Sequence, residues 1–323
     1  MLKKFIQLKN KNKILFTPGP SSLSKENISG LSPAFGRGDK DYQRDHKFVL
    51  NKLRRISRHK FITCLQGSGS LAIEIMMHNF LSGNVLIINT GYYSDRVNNM
   101  CKNLKKKKKI NQIFNLDWKT IDNFKSNKKI SWLIACPTET SIGLHVPIKK
   151  LKKLSLNLKS KLMLDATASF PLDPNHHLAD VLSYSSCKGL CGLTGASFIN
   201  YNLKPKYYKN SFYLNLFNHE NKKMTGPYHT ILSLKNIISD YSSFKKAIKI
   251  NKKKFSIKFA DYLVYDKENQ PTLCTYVKKK IKTNSKRVVL YKSRSRIIGS
   301  VISHLGEAHL RNKAKAKIID NLY

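Results

Sequence analysis

The sequence predicts an α/β protein built on a mostly parallel sheet, and two features of the 323-residue chain indicate this fold class. From about residue 60 to 200, short apolar runs alternate with longer amphipathic stretches, as in strands joined by crossover helices. After about residue 235 the pattern changes to a basic helix followed by short strands. We therefore predict a large domain over 1–235, whose first 20 residues form an N-terminal arm, and a small α+β domain over 236–323.

The predicted elements follow one another in a regular order. A helix at 46–57 precedes strands at 61–66, 84–90, 130–137, 161–167, 180–186 and 195–200, with helices at 70–81, 94–104 and 146–158 between them. The small domain is predicted to begin with a helix at 242–263, followed by strands near 273–277 and 287–291. Because ligands bind beyond the carboxyl ends of the strands in an open α/β sheet, polar side chains at those ends are candidate site residues.

The net charge of +41, from 60 Lys and Arg against 19 Asp and Glu, raises the question of a nucleic-acid partner. Only ten of the basic residues are Arg. Recognition of phosphates and bases favours the bidentate Arg fork, whereas a lysine excess also arises from drift toward A-rich codons. We expect lysine blocks such as 105–109 to be solvated helix faces. No specific nucleic-acid partner is therefore predicted, although weak binding to polyanions stays open.

Cysteine spacing and hydropathy exclude two other classes of protein. The six cysteines, at 64, 101, 136, 187, 191 and 274, form no CxxC pair and no Cys/His ligand spacing, so we expect no metal site. The chain contains no run of about 18 apolar residues and no signal-peptide pattern, so no membrane span is predicted. The expectation is a cytoplasmic protein with reduced cysteines.

Four polar clusters follow predicted strands. They are QGSGSLAIE (66–74), TGYYSDR (90–96), CPTETSIG (136–143) and LMLDATASF (162–170). The first would place backbone N–H groups and a helix N-terminus where a phosphate binds, and the second offers an aromatic ring for stacking. The third supplies hydroxyl groups, and the fourth supplies a carboxylate, Asp165, in a desolvated position. Taken singly, each is also explained as a turn, a core aromatic or a helix cap.

A fifth stretch, SYSSCKGLCGLTGASFIN (183–200), contains the lysine of greatest chemical interest. Lys188 follows a predicted strand, and an amine in a partly desolvated site has a lowered pKa and can act as a nucleophile toward carbonyl groups. A phosphate seat, a stacking ring, an acid and an amine are together what pyridoxal phosphate requires. The order and spacing of the clusters, rather than any one of them, favour that cofactor.

These motifs, together with LFTPGP (15–20) and TGPYHTILSL (225–234), resemble the class V aminotransferases of the fold-type I pyridoxal-phosphate enzymes over residues 15 to 310. The LQGSGS motif favours the aminoethylphosphonate branch of that family. The resemblance implies transfer of the amino group of 2-aminoethylphosphonate to pyruvate. Alanine–glyoxylate or serine–pyruvate transfer, and a degenerate paralogue with altered acceptor specificity, stay open as alternatives.

The same resemblance implies roles for individual residues. Lys188 would hold the cofactor covalently and move the substrate proton, and Asp165 would pair with the ring nitrogen. The other expected cofactor contacts are a stacking ring, a hydroxyl beside the ring oxygen and a phosphate cup: Tyr93, Thr140, Ser68, Gly69, Ser70 and Ser185. Thr225 would reach the phosphate of a neighbouring subunit, which implies a homodimer with shared sites.

Two positions depart from the family pattern. Cys187 replaces the Asn or Gln that usually precedes the lysine. In VISHLGE (301–307), Val301 stands where the family has the Arg that clamps the substrate carboxylate. We expect Arg296, or else Arg294, to take over that role. Arg96 and Arg37 are the candidates for binding the phosphonate.

Overall fold

The computed structural model describes residues 2–305, 319 and 321–323. Its strands are Ile14–Phe16 (β1), Phe61–Gln66 (β2), Val85–Asn89 (β3), Ile113–Asp117 (β4), Trp132–Ala135 (β5), Thr138–Glu139 (β6), Leu144–His145 (β7), Lys161–Asp165 (β8), Val181–Ser185 (β9), Ala196–Tyr201 (β10), Cys274–Val277 (β11), Val288–Leu290 (β12) and Ser300–Ser303 (β13). Seven of these strands form the central sheet, in the order β2-β10-β9-β8-β5-β3-β4. β10 runs antiparallel to both of its neighbours, and the other pairs are parallel.

The helices cover both faces of this sheet. The α-helices are Leu2–Lys9 (α1), Lys25–Ser29 (α2), Lys40–Ser57 (α3), Gly69–Phe80 (α4), Tyr92–Lys106 (α5), Ile148–Asn157 (α6), Leu216–Glu220 (α7), Tyr228–Ser239 (α8) and Tyr241–Lys258 (α9). Short 3-10 turns lie at Trp118–Asn123, His176–Leu178, Ala260–Tyr262 and Lys267–Asn269. The α/β class predicted from the sequence is confirmed.

Burial on both faces explains why the strands are continuous apolar runs. In β3, Val85 and Ile87 belong to the apolar core that also contains residues of α4 and α5. The alternate residues Leu86 and Ile88 belong to the core on the opposite face, which also contains residues of α3, α6 and α8. A strand buried on both faces needs apolar side chains at every position, so it shows no polar alternation.

All six predicted strands of the large domain are present, with ends that differ from the prediction by two residues or fewer. The sequence analysis did not predict β4, which lies at one edge of the sheet beside β3. Its residues are mostly partly exposed, and only Leu116 is buried. An edge strand with so little burial lacks the continuous apolar run that identified the others.

The C-terminal elements pack against the start of the chain. β1 pairs in parallel with β12, and Ile14 and Phe16 join a small apolar core with Phe255 and Ile302. β11 and β13 form a separate antiparallel pair. The predicted domain boundary at residue 235 falls within α8, so the division of the chain into domains stays a prediction.

Among residues 2–305, 319 and 321–323, no helix combines the length and the apolar character that crossing a bilayer requires.

Candidate active site

A cavity of about 470 Å³ lies at the carboxyl ends of the central strands. Because β2, β3, β5, β8 and β9 all point the same way, the loops that follow them meet at one edge of the sheet. Residues predicted from four separate stretches of sequence therefore line this one space: Ser68, Gly69, Ser70, Tyr93, Arg96, Asp165, Ser185, Cys187 and Lys188. We call it the main cavity.

Lys188 lies in the loop between β9 and β10, three residues after the end of β9. The hydroxyl of Ser186 lies within hydrogen-bond distance of the carbonyl groups of Leu193 and Ala196, and the N–H of Ser186 donates to the Ala196 carbonyl at 3.0 Å, which holds this loop closed. Residues 19–21 lie against the lysine stem, and the N–H of Ser21 donates to the carbonyl of Cys187 at 2.9 Å. A Cβ atom on Gly19 would lie 2.9 Å from Lys188 Cγ, so this close approach depends on glycine.

The amine of Lys188 points toward an aromatic face. Its Nζ lies 5.3 Å from the ring centroid of Tyr93, at the start of α5. The N–H of Tyr93 donates to Glu139 Oε2 at 2.7 Å, and Glu139 is fully buried. Burial raises the pKa of Glu139, although bonds from Ser141 and Tyr93 oppose that rise. Glu139, which the sequence analysis did not single out, thus holds the backbone of Tyr93 in place.

The N-terminus of α4 forms one end of the main cavity. Ser68 caps the helix by accepting from the N–H of Leu71, and Gly69 is its first residue. A Cβ atom on Gly69 would lie 2.9 Å from Thr167 Oγ1 and 3.5 Å from Ser185 Cβ, so the two hydroxyl side chains close around the glycine. Free N–H groups and the helix dipole make such a terminus a seat for an anion.

Asp165 is the last residue of β8 and is only 5% exposed. Its Oδ1 accepts from the N–H of Thr167 at 3.1 Å, and its Oδ2 lies 3.4 Å from Nη2 of Arg96. The thiol of Cys136 donates to Oδ2 at 3.6 Å. Burial, followed by the charge of Asp165, raises the pKa of Cys136 well above its usual value, so this thiol keeps its proton. The carboxylate is therefore buried but satisfied.

Arg96 lies inside the main cavity and connects its two ends. Nη1 donates to Ser70 Oγ at 2.8 Å, and the guanidinium lies 4.9 Å from the ring centroid of Tyr93. It therefore bridges the N-terminus of α4 and Asp165 across the face of the tyrosine. The role of Arg96 in binding a phosphonate stays a prediction. The residues that it contacts, Ser70, Tyr93 and Asp165, are those expected to bind the cofactor.

Four of the predicted site residues do not line the main cavity. Thr140 is fully buried, and its Oγ1 has no hydrogen-bond partner among the described residues, whereas Thr138 lines the cavity. Thr225 and Arg37 line a second cavity of about 120 Å³, where Arg37 Nη1 donates to the carbonyl of Lys222. Arg296 is exposed, and the neighbouring Arg294 lines the main cavity instead.

The position where the family has its clamping Arg does not open into the site. Val301 is 1% exposed and lies in β13, opposite Tyr276 of β11. Gly306 and Glu307, the last two residues of that motif, lie outside the described residues. Thr167 and Tyr291 line the main cavity and were not predicted. Thr167 belongs to the LMLDATASF cluster (162–170), two residues after Asp165, so its position in the sequence already indicated a candidate site hydroxyl.

Comparison with known structures places this arrangement in a known architecture. The chain superposes on pyridoxamine–pyruvate aminotransferase from Mesorhizobium loti with a TM-score of 0.78, at 17% identity, covering 94% of this chain and 90% of that one. The chain has the aminotransferase fold. The fold-type I architecture and the resemblance to class V aminotransferases expected from the sequence are thus confirmed.

By sequence, the chain is similar to proteins whose names include aminoethylphosphonate transaminase. It is 29% identical over 199 residues to a bifunctional phosphonoacetaldehyde hydrolase/aminoethylphosphonate transaminase of Clostridioides difficile strain 630, covering 58% of this chain and 31% of that protein. It is 26% identical over 204 residues to the 2-aminoethylphosphonate–pyruvate transaminase of Pseudomonas entomophila strain L48, covering 58% and 54%. The chain thus spans about a third and about half of these relatives. No family model matches it.

Proposed function

We propose that this chain is a pyridoxal-phosphate-dependent aminotransferase that moves the amino group of 2-aminoethylphosphonate to pyruvate. The observation that carries the proposal is the meeting of Lys188, Asp165 and the N-terminus of α4 in one cavity at the carboxyl ends of the strands. An amine, a buried acid and an anion seat at this edge are the groups that the cofactor needs. The similarity to phosphonate transaminases supports the choice of substrate.

The residues present fit the cofactor. Thr167 Oγ1 is buried without a hydrogen-bond partner among the described residues, and it borders Gly69 at the N-terminus of α4. An incoming phosphate would give this hydroxyl a partner and would receive N–H groups from the helix terminus. Ser68, Ser70 and Ser185 supply further hydroxyl groups on the same wall. A donor set of hydroxyls and helix N–H groups suits a phosphate dianion.

When bound, the cofactor supplies an electron sink for the carbon that loses its proton. Lys188 would hold the cofactor covalently through Nζ, and the same nitrogen would take up and deliver the proton that the substrate carbon loses. Asp165 would keep a proton on the ring nitrogen. The N–H of Thr167 and the thiol of Cys136 donate to this buried carboxylate and so favour its charged form. Tyr93 would hold the ring flat and exclude water from that face.

We also propose that the enzyme works as a cytoplasmic homodimer. Thr225 is exposed and lines the second cavity rather than the main one, which is expected of a residue that serves a neighbouring subunit. The six cysteines are unpaired, which is compatible with a reducing compartment.

The test is to add pyridoxal phosphate to the purified protein and to follow the visible absorbance of a lysine-bound pyridoxal. We expect a band that Lys188→Ala abolishes and that the control Lys245→Ala, at a half-buried lysine bonded to the carbonyl of Pro171, retains. Borohydride trapping and peptide mapping should assign the link to Lys188. A wild-type protein without the band would refute the cofactor assignment.

The substrate is tested by adding amines to the loaded protein. We expect 2-aminoethylphosphonate to bleach the visible band in a single turnover and pyruvate to restore it. Bleaching by L-alanine or L-serine alone would contradict the phosphonate assignment while retaining the aminotransferase. A band that responds to none of these amines would mean that turnover has been lost.

A further inference from the structure

The loop between β12 and β13 closes one side of the main cavity. Tyr291 and Arg294 of this loop both line the cavity. Two serines anchor the loop to the segment that follows β5: Ser293 Oγ donates to the carbonyl of Ser141, and Ser295 Oγ donates to Ser141 Oγ at 2.8 Å. Ser141 in turn donates to the buried Glu139, at 2.6 Å from its Oγ. The loop is therefore fixed to the same carboxylate that positions Tyr93.

This anchoring determines where the side chain of Arg294 lies. Arg294 stands between two serines that both contact Ser141, and its own side chain reaches the aromatic pair at the start of α5. Nη1 donates to Tyr92 Oη at 3.3 Å, and the guanidinium lies 5.3 Å from the Tyr92 ring centroid and 6.0 Å from that of Tyr93. The residue is exposed as well as cavity-lining, so it lies at the mouth.

Among the residues with described positions, Arg294 has no carboxylate partner in the main cavity. Among the residues that the structure describes, Asp165 is the one carboxylate that lines the main cavity, and it pairs with Arg96. No ion pair with Arg294 occurs in the described part of the chain. A planar guanidinium with free N–H groups, held against tyrosine rings, is prepared to bind an acid group in a bidentate manner.

We infer that Arg294 binds the acid group of the substrates at the cavity mouth: the phosphonate of the amino donor and the carboxylate of the oxo-acid acceptor. This inference rests on the proposed function. Val301 is buried and apolar, so that position contributes no cation, and Arg296 does not line the cavity. Donor and acceptor occupy the site in turn, so one long side chain can meet both acid groups. Arg294 is thus a specificity-determining residue.

The test compares Arg294→Gln and Arg294→Lys with the matched control Arg296→Gln, in protein loaded with pyridoxal phosphate. In single turnovers, we expect Arg294→Gln to raise the apparent Kd for 2-aminoethylphosphonate and for pyruvate about 10- to 100-fold, because a charge-assisted bidentate contact is lost. Arg294→Lys should fall in between, and Arg296→Gln should stay within about twofold. The visible band and the melting temperature should be unchanged in all three.

A second measurement does not depend on turnover. Calorimetric titration with methylphosphonate, which has no amine, should show weaker binding to Arg294→Gln than to the wild type or to Arg296→Gln. Equal binding to all three proteins, or a larger effect at Arg296, would overturn the inference. If the wild type forms no visible band, the proposed function fails separately. The methylphosphonate titration then still decides whether Arg294 is an anion site.

Discussion

The contact between Arg96 and Asp165 allows a quantitative test of how the main cavity is held together without its cofactor. Asp165 is 5% exposed, and Arg96 is 29% exposed. Replacing Arg96 with Met removes the cationic partner and leaves Thr167 N–H and the Cys136 thiol as donors to a buried carboxylate. The variant also loses the bond from Arg96 to Ser70.

The expected cost follows from these contacts. Removing one partner of a fully buried ion pair costs about 3–5 kcal/mol, and a hydrogen bond to a charged group contributes about 1.5–3 kcal/mol. The distance of 3.4 Å is long for a charge-assisted bond, and the guanidinium is partly solvated. We therefore expect a coupling free energy of about 2 kcal/mol between the two side chains, below the fully buried value.

A double-mutant cycle isolates this coupling from the Ser70 bond and from packing. Urea unfolding of the cofactor-free protein is measured for wild type, Arg96→Met, Asp165→Asn and the double variant. The control cycle uses the exposed pair Arg44 and Asp41, whose nitrogen and oxygen lie 2.9 Å apart. Its coupling should be about 0.5 kcal/mol or less, because exposed pairs are screened by water.

The reasoning is refuted if the Arg96–Asp165 coupling is no larger than that of the control pair. Such a result would mean that water, Thr167 and Cys136 satisfy the carboxylate and that Arg96 contributes only through Ser70. A coupling of about 2 kcal/mol would instead show that Arg96 neutralises Asp165 until a cofactor enters, as expected from the 5% exposure of the acid.

Two further predictions concern the phosphate seat and the pH dependence of stability. Gly69→Ala places a methyl group 2.9 Å from Thr167 Oγ1 and should weaken pyridoxal-phosphate binding about tenfold or more. The control is Gly38→Ala, whose added Cβ would meet nothing within 4 Å. Equal affinities of the two variants, measured by absorbance titration, would contradict the phosphate seat at the N-terminus of α4. Burial lowers the pKa of His304 from 6.5 to about 3. Below pH 6.5 the unfolded chain therefore binds a proton that the folded chain does not. The free energy of unfolding is thus unaffected by His304 above pH 6.5 and decreases as the pH falls toward 3. His304→Gln should therefore reduce the slope of unfolding free energy against pH by about 1.4 kcal/mol per pH unit between about pH 6 and 4, and an unchanged slope in urea unfolding would show that His304 titrates normally in the folded protein.

The local pattern of the sequence determined most of the large domain. Runs such as 84–90 and 161–167 became β3 and β8 because a strand covered on both faces must be apolar throughout. The chemistry of the clusters after those strands was also readable, since parallel strands carry their carboxyl ends to one edge. Lys188, Asp165, Tyr93 and Ser68 meet there as expected. Periodicity and turn chemistry are local properties, so they could be inferred from the amino-acid order.

The tertiary structure decided which distant residues meet. β1 pairs with β12, with Ile14 opposite Val288, and so ties the start of the chain to its C-terminal part. Arg294 and Arg296 are two residues apart and alike in sequence, yet the bonds from Ser293 and Ser295 to Ser141 bring only Arg294 to the main cavity. Whether a side chain lines a site depends on sheet order, loop closure and burial. These are set by contacts between segments that no local pattern specifies.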